Sequence, residues 1–333
     1  MSLTAQAGAT LAPNAALHAQ VRWRLIETVF WAATLLPFVV APTYLVLAAQ
    51  IAITALFALS LDLIVGYCGL ISLGHAAFFG FGAYTAGLIS KVGWGEPITG
   101  LLAAAAAALV LGYLTSFIIA RISHFALIMV TLGLCLLLFE LANKAHWLTG
   151  GDDGLQGVKM WPIFGVFDFD LYGRTAYAYS LIVLFGSFLL LRRVINSPFG
   201  LSLRGIRENA QRMPAIGAPS RRRIRTIYTI SATFGGLAGG LLAQTTEFVA
   251  LDSLSFQRSA ELLVMLVLGG AGRLYGGLVG ALIFMVARDQ LADMNPQYWY
   301  FWLGVLLIAV IIFMPNGVLG GLARLISRWR SAS

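Results

Sequence analysis

Charged residues are scarce in this chain. Only 11% of the 333 residues are Asp, Glu, Lys or Arg, whereas 59% are apolar, and the mean hydropathy is +0.84. A soluble globular domain carries about 25% charged residues. Most of this chain must therefore lie where water is absent, and the composition predicts an all-α polytopic membrane protein.

The sequence also lacks the residue groups that catalysis and metal binding require. The two cysteines, Cys68 and Cys135, lie in apolar runs and show neither a disulfide framework nor metal-ligand spacing. The four histidines do not cluster and show no HExxH-like spacing, which counts against an intramembrane enzyme. No G-x-x-x-x-G-K-[ST] phosphate-binding loop is present, so the chain is predicted to hydrolyse no ATP itself and to hold no cofactor or metal.

No predicted span carries an acid or a base at its centre, which counts against an ion-coupled transporter. The ionisable residues in or beside apolar runs, Asp62, His75, Glu140 and Glu247, lie near predicted span ends. A structural role is favoured for each of them. His75 is the strongest functional candidate among the four, because it follows a glycine-rich segment and precedes aromatic residues.

Apolar runs long enough to cross about 30 Å of hydrocarbon recur along the chain. The simple runs cover positions 25–40, 44–65, 72–90, 98–120, 125–142, 176–191, 226–243 and 298–314. A longer run, 260–287, is interrupted by "GGAGRLYGG" and is predicted to be a helix pair that turns near Arg273. The sequence therefore predicts about ten transmembrane helices.

Positive charge sets the predicted orientation. Arginines crowd the loop 192–225, where Glu208 is the only acidic residue. By the positive-inside rule this loop lies in the cytoplasm, as do Arg121 and the arginines of the tail 319–333. These positions agree with one another if both termini are cytoplasmic, and the loop 143–175 is then periplasmic.

The spans divide the chain into three predicted parts. These are a cytoplasmic N-terminal segment (1–24), a transmembrane domain (25–318) and a cytoplasmic tail (319–333). The N-terminal segment is rich in alanine and ends in Arg22 and Arg24 just before the first apolar run. That pattern favours an uncleaved signal anchor over a cleaved signal peptide.

Small residues follow a helical repeat in two of the runs. They form the rows Ser72, Ala76, Gly80 and Ser231, Gly235, Gly239, Ala243. Such rows let helix backbones approach closely in a membrane. Gly66, Gly69 and Gly74 are different, because glycines this dense weaken a helix by up to ~1 kcal/mol each. They predict a break between the second and third spans.

The arginine-rich loop contains a predicted short helix at 201–211, which Gly217 and Pro219 end. Leu203 and Ile206 share one face of this helix, and Arg204, Arg207 and Glu208 are predicted to be free to pair with a partner. The later basic run, 221–225, has two open interpretations. It serves either as a topology signal with anionic-lipid contact or as part of an interface.

Four stretches together carry a family resemblance. "GYCGLISLGHAAFFGFGAY", "FGLSLRGIREN", "GGAGRLYGGLVGA" and "FMPNGVLGGL" resemble the signature stretches of the permease subunits of branched-chain amino-acid ABC importers. "TGGDDGLQGV" resembles the outer loop of the longer, LivM-type permease of the pair. The resemblance runs from about position 45 to 322 and implies a type II-like ABC importer permease.

The resemblance implies three functional segments. It implies an ATPase coupling helix formed by Leu203, Arg204, Gly205, Ile206, Arg207, Glu208 and Asn209. It implies a docking loop for a soluble binding protein at Gly150, Gly151, Asp152, Asp153 and Gly154. It also places Ser72, His75 and Phe79 at or beside the translocation path.

The implied partners are a second homologous permease, two cytoplasmic ABC ATPases that bind ATP and Mg, a periplasmic substrate-binding protein and membrane lipid, with no nucleic acid. The implied location is the bacterial inner membrane. The implied cargo is a branched-chain amino acid, with urea, short amides and aromatic acids as alternatives. The chain departs from the family pattern at Leu70, at Arg273 and at Met213 with Pro214, which leaves the cargo open and predicts a shorter coupling element.

Overall fold

The computed structural model describes residues 25–122, 124–170, 172–314 and 317–321. The predicted N-terminal segment 1–24 and the tail from position 322 lie outside these residues. The helices are α1 (Leu25–Ala33), α2 (Pro37–Val40), α3 (Leu45–Cys68), α4 (His75–Lys91), α5 (Pro97–Ile119), α6 (His124–Lys144), α7 (His146–Thr149), α8 (Arg174–Ile195), α9 (Pro198–Asn209), α10 (Ser220–Thr246), α11 (Phe256–Gly269), α12 (Leu274–Met294) and α13 (Trp299–Phe313).

The prediction of an all-α polytopic membrane protein is confirmed. Within the described residues, six helices are long and apolar enough to cross a membrane: Pro42–Cys68, Pro97–Ile119, Phe125–Lys144, Arg174–Ile195, Ser220–Thr246 and Leu274–Met294. The other predicted spans form shorter helices, namely α1 with α2, α4, α11 and α13. The chain is a multi-pass membrane protein.

The helix pair predicted within 260–287 is present. α11 ends at Gly269 and α12 begins at Leu274, so the turn occupies 270–273 and Arg273 precedes the first residue of α12. The first predicted span differs, because the run 25–40 forms two helices instead of one. Pro37 begins α2, and a proline cannot supply the backbone donor that a continuous helix needs at this point.

Two helices, α3 and α10, form the centre of the bundle. Every residue from 55 to 64 in α3 is buried, because α3 packs against α8, α10, α11 and α12. α10 packs against α3, α4 and α5. α3 is apolar on nearly all faces, as expected for a helix in such a position.

The predicted break between the second and third spans is confirmed. α3 ends at Cys68, and Gly69 takes a left-handed conformation with φ of 76°. The chain is non-helical from 69 to 74, and α4 starts at His75. Gly69 fits this position because residues with a Cβ rarely adopt a positive φ.

The predicted row on α10 lies at a close helix contact, whereas the row predicted from Ser72 to Gly80 is only partly helical, because Ser72 precedes α4. A Cβ at Gly239 would overlap the carbonyl oxygen of Phe79, and a Cβ at Gly82 would overlap the backbone of Gly236. On the other side of α4, the backbone nitrogen of Ala76 donates a 2.9 Å hydrogen bond to Ser259 Oγ in α11. The backbone of α4 is therefore held tightly between α10 and α11.

α4 also connects the two ends of the bundle. Near its first turn, Gly69 lies against Arg207 of α9. At its last turn, Ser90 Oγ donates a 2.6 Å hydrogen bond to the carbonyl of Lys159 in the long outer loop. We call the end that carries α9 the inner end and the end that carries residues 145–173 the outer end.

Candidate functional site

A cavity of about 330 Å³ lies towards the outer end, between α3, α11 and α12, with contributions from α4 and α10. We call it the outer cavity. Phe79, one of the three residues implied to border the translocation path, lines it. Ser72 and His75, the other two, are buried closer to the inner end and are 1% and 0% exposed.

The lining of the outer cavity changes character with depth. Arg258 lies in the first turn of α11, and Arg288 and Asp289 lie in the second half of α12. These three side chains form the rim of the cavity. Deeper along the same helices, Met265 and Met285 form an apolar floor, together with Phe57 and Phe79.

The sequence interpretation missed the charged rim. Arg258 and Arg288 flank the apolar run 260–287, one on each side. Because that run folds as a hairpin, its two flanks meet at the same end of the bundle. The signal that could have found them was therefore the predicted hairpin itself, combined with the charged residues at its two ends.

His75 is fully buried and its ring lies close to two serine hydroxyls. Its Nε2 lies 2.9 Å from Ser60 Oγ and 3.5 Å from Ser231 Oγ. Both hydroxyls already donate, to the carbonyls of Phe57 (2.6 Å) and Ser60 (2.5 Å) respectively. The arrangement therefore favours the tautomer in which Nε2 carries the proton and donates to Ser60 Oγ.

An aromatic stack connects this histidine to the outer cavity. The ring of His75 stacks on Phe57 with centroids 5.6 Å apart, and Phe57 stacks on Phe79 at 4.4 Å. Phe57 and Phe79 line the cavity, whereas His75 lies behind them. In this conformation His75, at the start of α4, contacts α3 and α10 and packs behind the Phe57 ring at the floor of the cavity.

Replacing His75 with alanine is expected to lower the stability of the protein more than the activity of each folded molecule. The change removes a buried ring and its hydrogen bond to Ser60, a loss of about 2–4 kcal/mol. Thermal denaturation of the purified protein and transport per folded molecule measure the two effects. An unchanged melting temperature with strongly reduced transport would instead assign His75 to direct contact with the cargo.

The amphipathic helix α9 packs against the inner end of α3. Leu203 and Ile206 are buried, as their shared face predicts. Pro198 occupies the first turn and the helix ends at Asn209, so it begins three residues earlier than predicted and ends two residues earlier. Met213 follows in a short 3₁₀ turn, and its side chain lies against Gly205.

Arg204 and Arg207, which were predicted to be free to pair with a partner, both contact α3, although Arg207 remains exposed. Arg207 Nη1 donates a hydrogen bond to the carbonyl of Gly66, and the guanidinium of Arg204 lies 5.6 Å from the centroid of the Tyr67 ring. The two side chains reach the end of α3 because α9 crosses directly beside it. Glu208 is exposed, in agreement with the prediction for that residue.

The contact of Arg207 belongs to a larger junction at the inner end. Asp62 Oδ1 accepts a 2.7 Å hydrogen bond from the backbone nitrogen of Gly272, in the turn between α11 and α12. A Cβ at Gly66 would overlap both Asp62 Oδ1 and Gly272. We call Asp62, Gly66, Arg207 and Gly272 the inner junction. It connects α3, α9 and the hairpin turn within one group of contacts.

The predicted docking loop lies at the outer end. Asp152 and Asp153 are exposed on a 3₁₀ turn, Gly151–Asp153. Gly151 is buried against the ring of His146, and Gly150 and Gly154 both have positive φ. The loop continues into Leu155, which pairs with Val249 of the next outer loop in an isolated antiparallel bridge. Asp152 and Asp153 are therefore exposed on a turn that neighbouring contacts hold in place.

A helical bundle with an outer cavity and an amphipathic helix at the opposite end is the arrangement expected of a membrane permease. Residues 43–311 match the family described as "Branched-chain amino acid transport system / permease component". The chain belongs to this family, which confirms the resemblance. The match contains the outer cavity, the His75 contact and the inner junction.

Individual relatives of the chain are also branched-chain amino acid permeases. The chain is 30% identical over 321 residues to the high-affinity branched-chain amino acid transport system permease protein LivM of Escherichia coli strain K12, covering 89% of this chain and 73% of the relative. It is 29% identical, with the same coverage, to LivM of Salmonella typhimurium strain LT2. A probable LivM of Methanocaldococcus jannaschii is 29% identical over 161 residues, covering 43% of this chain and 46% of the relative. No solved structure matches the chain.

Proposed function

We propose that this chain is the membrane-spanning subunit of an ATP-driven importer of branched-chain amino acids. The observation that carries the proposal is the 30% identity to Escherichia coli LivM across 89% of the chain. The cargo named for that relative and for the family is a branched-chain amino acid. Urea, short amides and aromatic acids are the alternative cargoes.

The energy for transport comes from partner subunits in this proposal. The chain has no phosphate-binding loop of its own, so two cytoplasmic ABC ATPases bind ATP and Mg and dock on α9. A second, homologous permease completes the membrane core. The contact of Arg207 with Gly66 supports this assignment of α9, because it gives a docked ATPase a direct mechanical connection to α3.

We propose that the protein lies in the bacterial inner membrane with both termini in the cytoplasm. The arginine-rich loop that contains α9 supports this orientation through the positive-inside rule. The ion pair between Glu27 in α1 and Arg192 in α8, at 2.7 Å, is consistent with it, because both residues then lie at the inner end. The outer end faces the periplasm, where Asp152 and Asp153 contact the soluble binding protein.

The translocation path in this proposal runs past Phe79, His75 and Ser72 in that order. Phe79 is already at a cavity, which supports its assignment. His75 and Ser72 are buried in the present conformation and border the path only when the helices around α4 separate towards the inner end.

Uptake by reconstituted complexes tests the proposed function. With the partner permease, both ATPases and the binding protein present in proteoliposomes, leucine uptake is expected to require ATP and the binding protein. Uptake should continue when an ionophore collapses ion gradients. Leucine uptake driven by an ion gradient without ATP would assign the chain to the secondary transporters, and uptake of urea but not of leucine would change the cargo alone.

A further inference from the structure

Contacts within the chain pair the charged rim of the outer cavity only in part. Arg258 forms ion pairs with Asp252 at 3.6 Å and with Glu261 at 3.9 Å, distances too long for good hydrogen bonds. Its Nε is buried and has no hydrogen-bond partner among the residues that the structure describes. A guanidinium has five N–H donors, so Arg258 has donors available for a further acceptor.

Arg288 is in a similar situation. Its guanidinium lies 5.3 Å from the centroid of the Trp299 ring, which holds the side chain in place without satisfying its hydrogen-bond donors. Asp289 follows it directly in α12 and lines the same cavity. Two cationic groups and one anionic group therefore line one small space, and the carboxylates of Asp252 and Glu261 compensate part of the charge of Arg258.

This combination of charges distinguishes between classes of ligand. A simple carboxylate would gain from the two arginines but would be repelled by Asp289, and a neutral amide such as urea would leave the charged groups without charged partners. An amino acid carries a carboxylate and an ammonium group on adjacent atoms. It can satisfy groups of both signs, and charge-assisted hydrogen bonds are the stronger kind.

The floor of the outer cavity suits an aliphatic side chain. Phe57, Phe79, Met265 and Met285 present an apolar surface, and methionine side chains adapt to ligands of different shape. The volume of about 330 Å³ is at the small end of ligand pockets, which span roughly 300–1,000 Å³. The cavity is therefore sized for a small solute.

We propose that the outer cavity binds a zwitterionic aliphatic amino acid. Arg258 and Arg288 face its carboxylate, Asp289 faces its ammonium group, and the apolar floor contacts its side chain. This inference rests on the proposed function, since it assigns a binding site to the cargo of that importer. The cavity receives the amino acid from the outer end before the path towards the inner end opens.

A cysteine at Thr54 provides a direct test. Thr54 lines the outer cavity, whereas the native Cys68 and Cys135 are buried. In the purified complex, Thr54→Cys is expected to react with a membrane-impermeant maleimide. Leucine at ten times its Kd should slow that reaction about tenfold, because only unoccupied cavities react. Urea, isoamylamine and 4-methylpentanoate, which each lack at least one charged group, should protect far less.

Variants that each remove one charge then test the roles of Arg288 and Asp289 in binding. In the Thr54→Cys background, Asp289→Asn and Arg288→Gln should each raise the leucine concentration needed for protection by about tenfold or more. Asp293→Asn is the matched control, because Asp293 is exposed one helical turn further along α12 and does not line the cavity. It should leave protection unchanged.

Three outcomes would each contradict the proposed binding site. The first is that Thr54→Cys does not react with the maleimide, and the second is that urea protects it as well as leucine does. The third is that leucine still protects fully in both rim variants. Leucine uptake by the parental complex separates this failure from failure of the importer function. If uptake persists while protection is absent, the proposed function stands and the cavity is not the binding site.

Discussion

Replacement of Arg207 with glutamate is expected to lower substrate-stimulated ATP hydrolysis by the assembled complex about tenfold or more, with transport falling in parallel. The wild-type guanidinium donates to the carbonyl of Gly66 and lies close to Gly272. A carboxylate there would face a carbonyl oxygen and the neighbouring carboxylate of Asp62. α9 would then lose its hydrogen bond to α3 and its contact with the hairpin turn, while the bundle above it stays packed.

The control for this prediction is charge-matched, and a second variant tests α9 at another position. Arg193→Glu makes the same charge change at an exposed position near the end of α8 and should leave coupling intact. Glu208→Lys changes an exposed residue of α9 itself and is also expected to lower stimulated hydrolysis, through contact with the ATPase. Purified complexes, with membrane insertion checked by yield, give the measurement. Wild-type coupling in both Arg207→Glu and Glu208→Lys would remove the assignment of α9 as the coupling helix.

Replacement of Gly239 with leucine is expected to destabilise the bundle by about 3 kcal/mol or more, because overpacking a tight contact forces the backbone to move. Already the first added atom would overlap the carbonyl oxygen of Phe79. That contact is backbone against backbone, so no side chain can rotate away to relieve it. A lower melting temperature and a reduced yield of monodisperse protein in detergent are the expected measurements.

Gly186→Leu is the matched control for Gly239→Leu. Gly186 also lies within a long helix, α8, but a Cβ there would meet no atom within 4 Å. This variant should keep the melting temperature of the wild type. Equal stability of the two variants would show that α4 and α10 can separate at no cost, contrary to the close packing described above.

The helices and their breaks were largely predictable, because their causes are local. Apolar runs of sufficient length predicted the spans, and the glycines at 66, 69 and 74 predicted the end of α3 within a few residues. The interruption in 260–287 predicted the hairpin. The split of the first span at Pro37 was missed, although the proline itself was the signal.

The candidate sites depended on contacts between distant parts of the chain. Arg207 bonds to a carbonyl 141 positions away, and His75 approaches a serine 156 positions away. Hydropathy and charge patterns report which residues prefer lipid, but they do not report which helix faces which. For this reason Phe79 could be selected by its motif, whereas the rim formed by Arg258, Arg288 and Asp289 required the packed hairpin.

The shortness of α11 has a consequence for how movement of α9 is transmitted. Met265 lies at the floor of the outer cavity and Gly269 ends the helix, so only four residues, or about 6 Å of helix, separate the cavity from the turn beside Arg207. The turn that contacts α9 therefore lies about one helical turn from the floor of the outer cavity. If α9 is the coupling helix, its movement reaches the floor of the cavity through this single turn of α11.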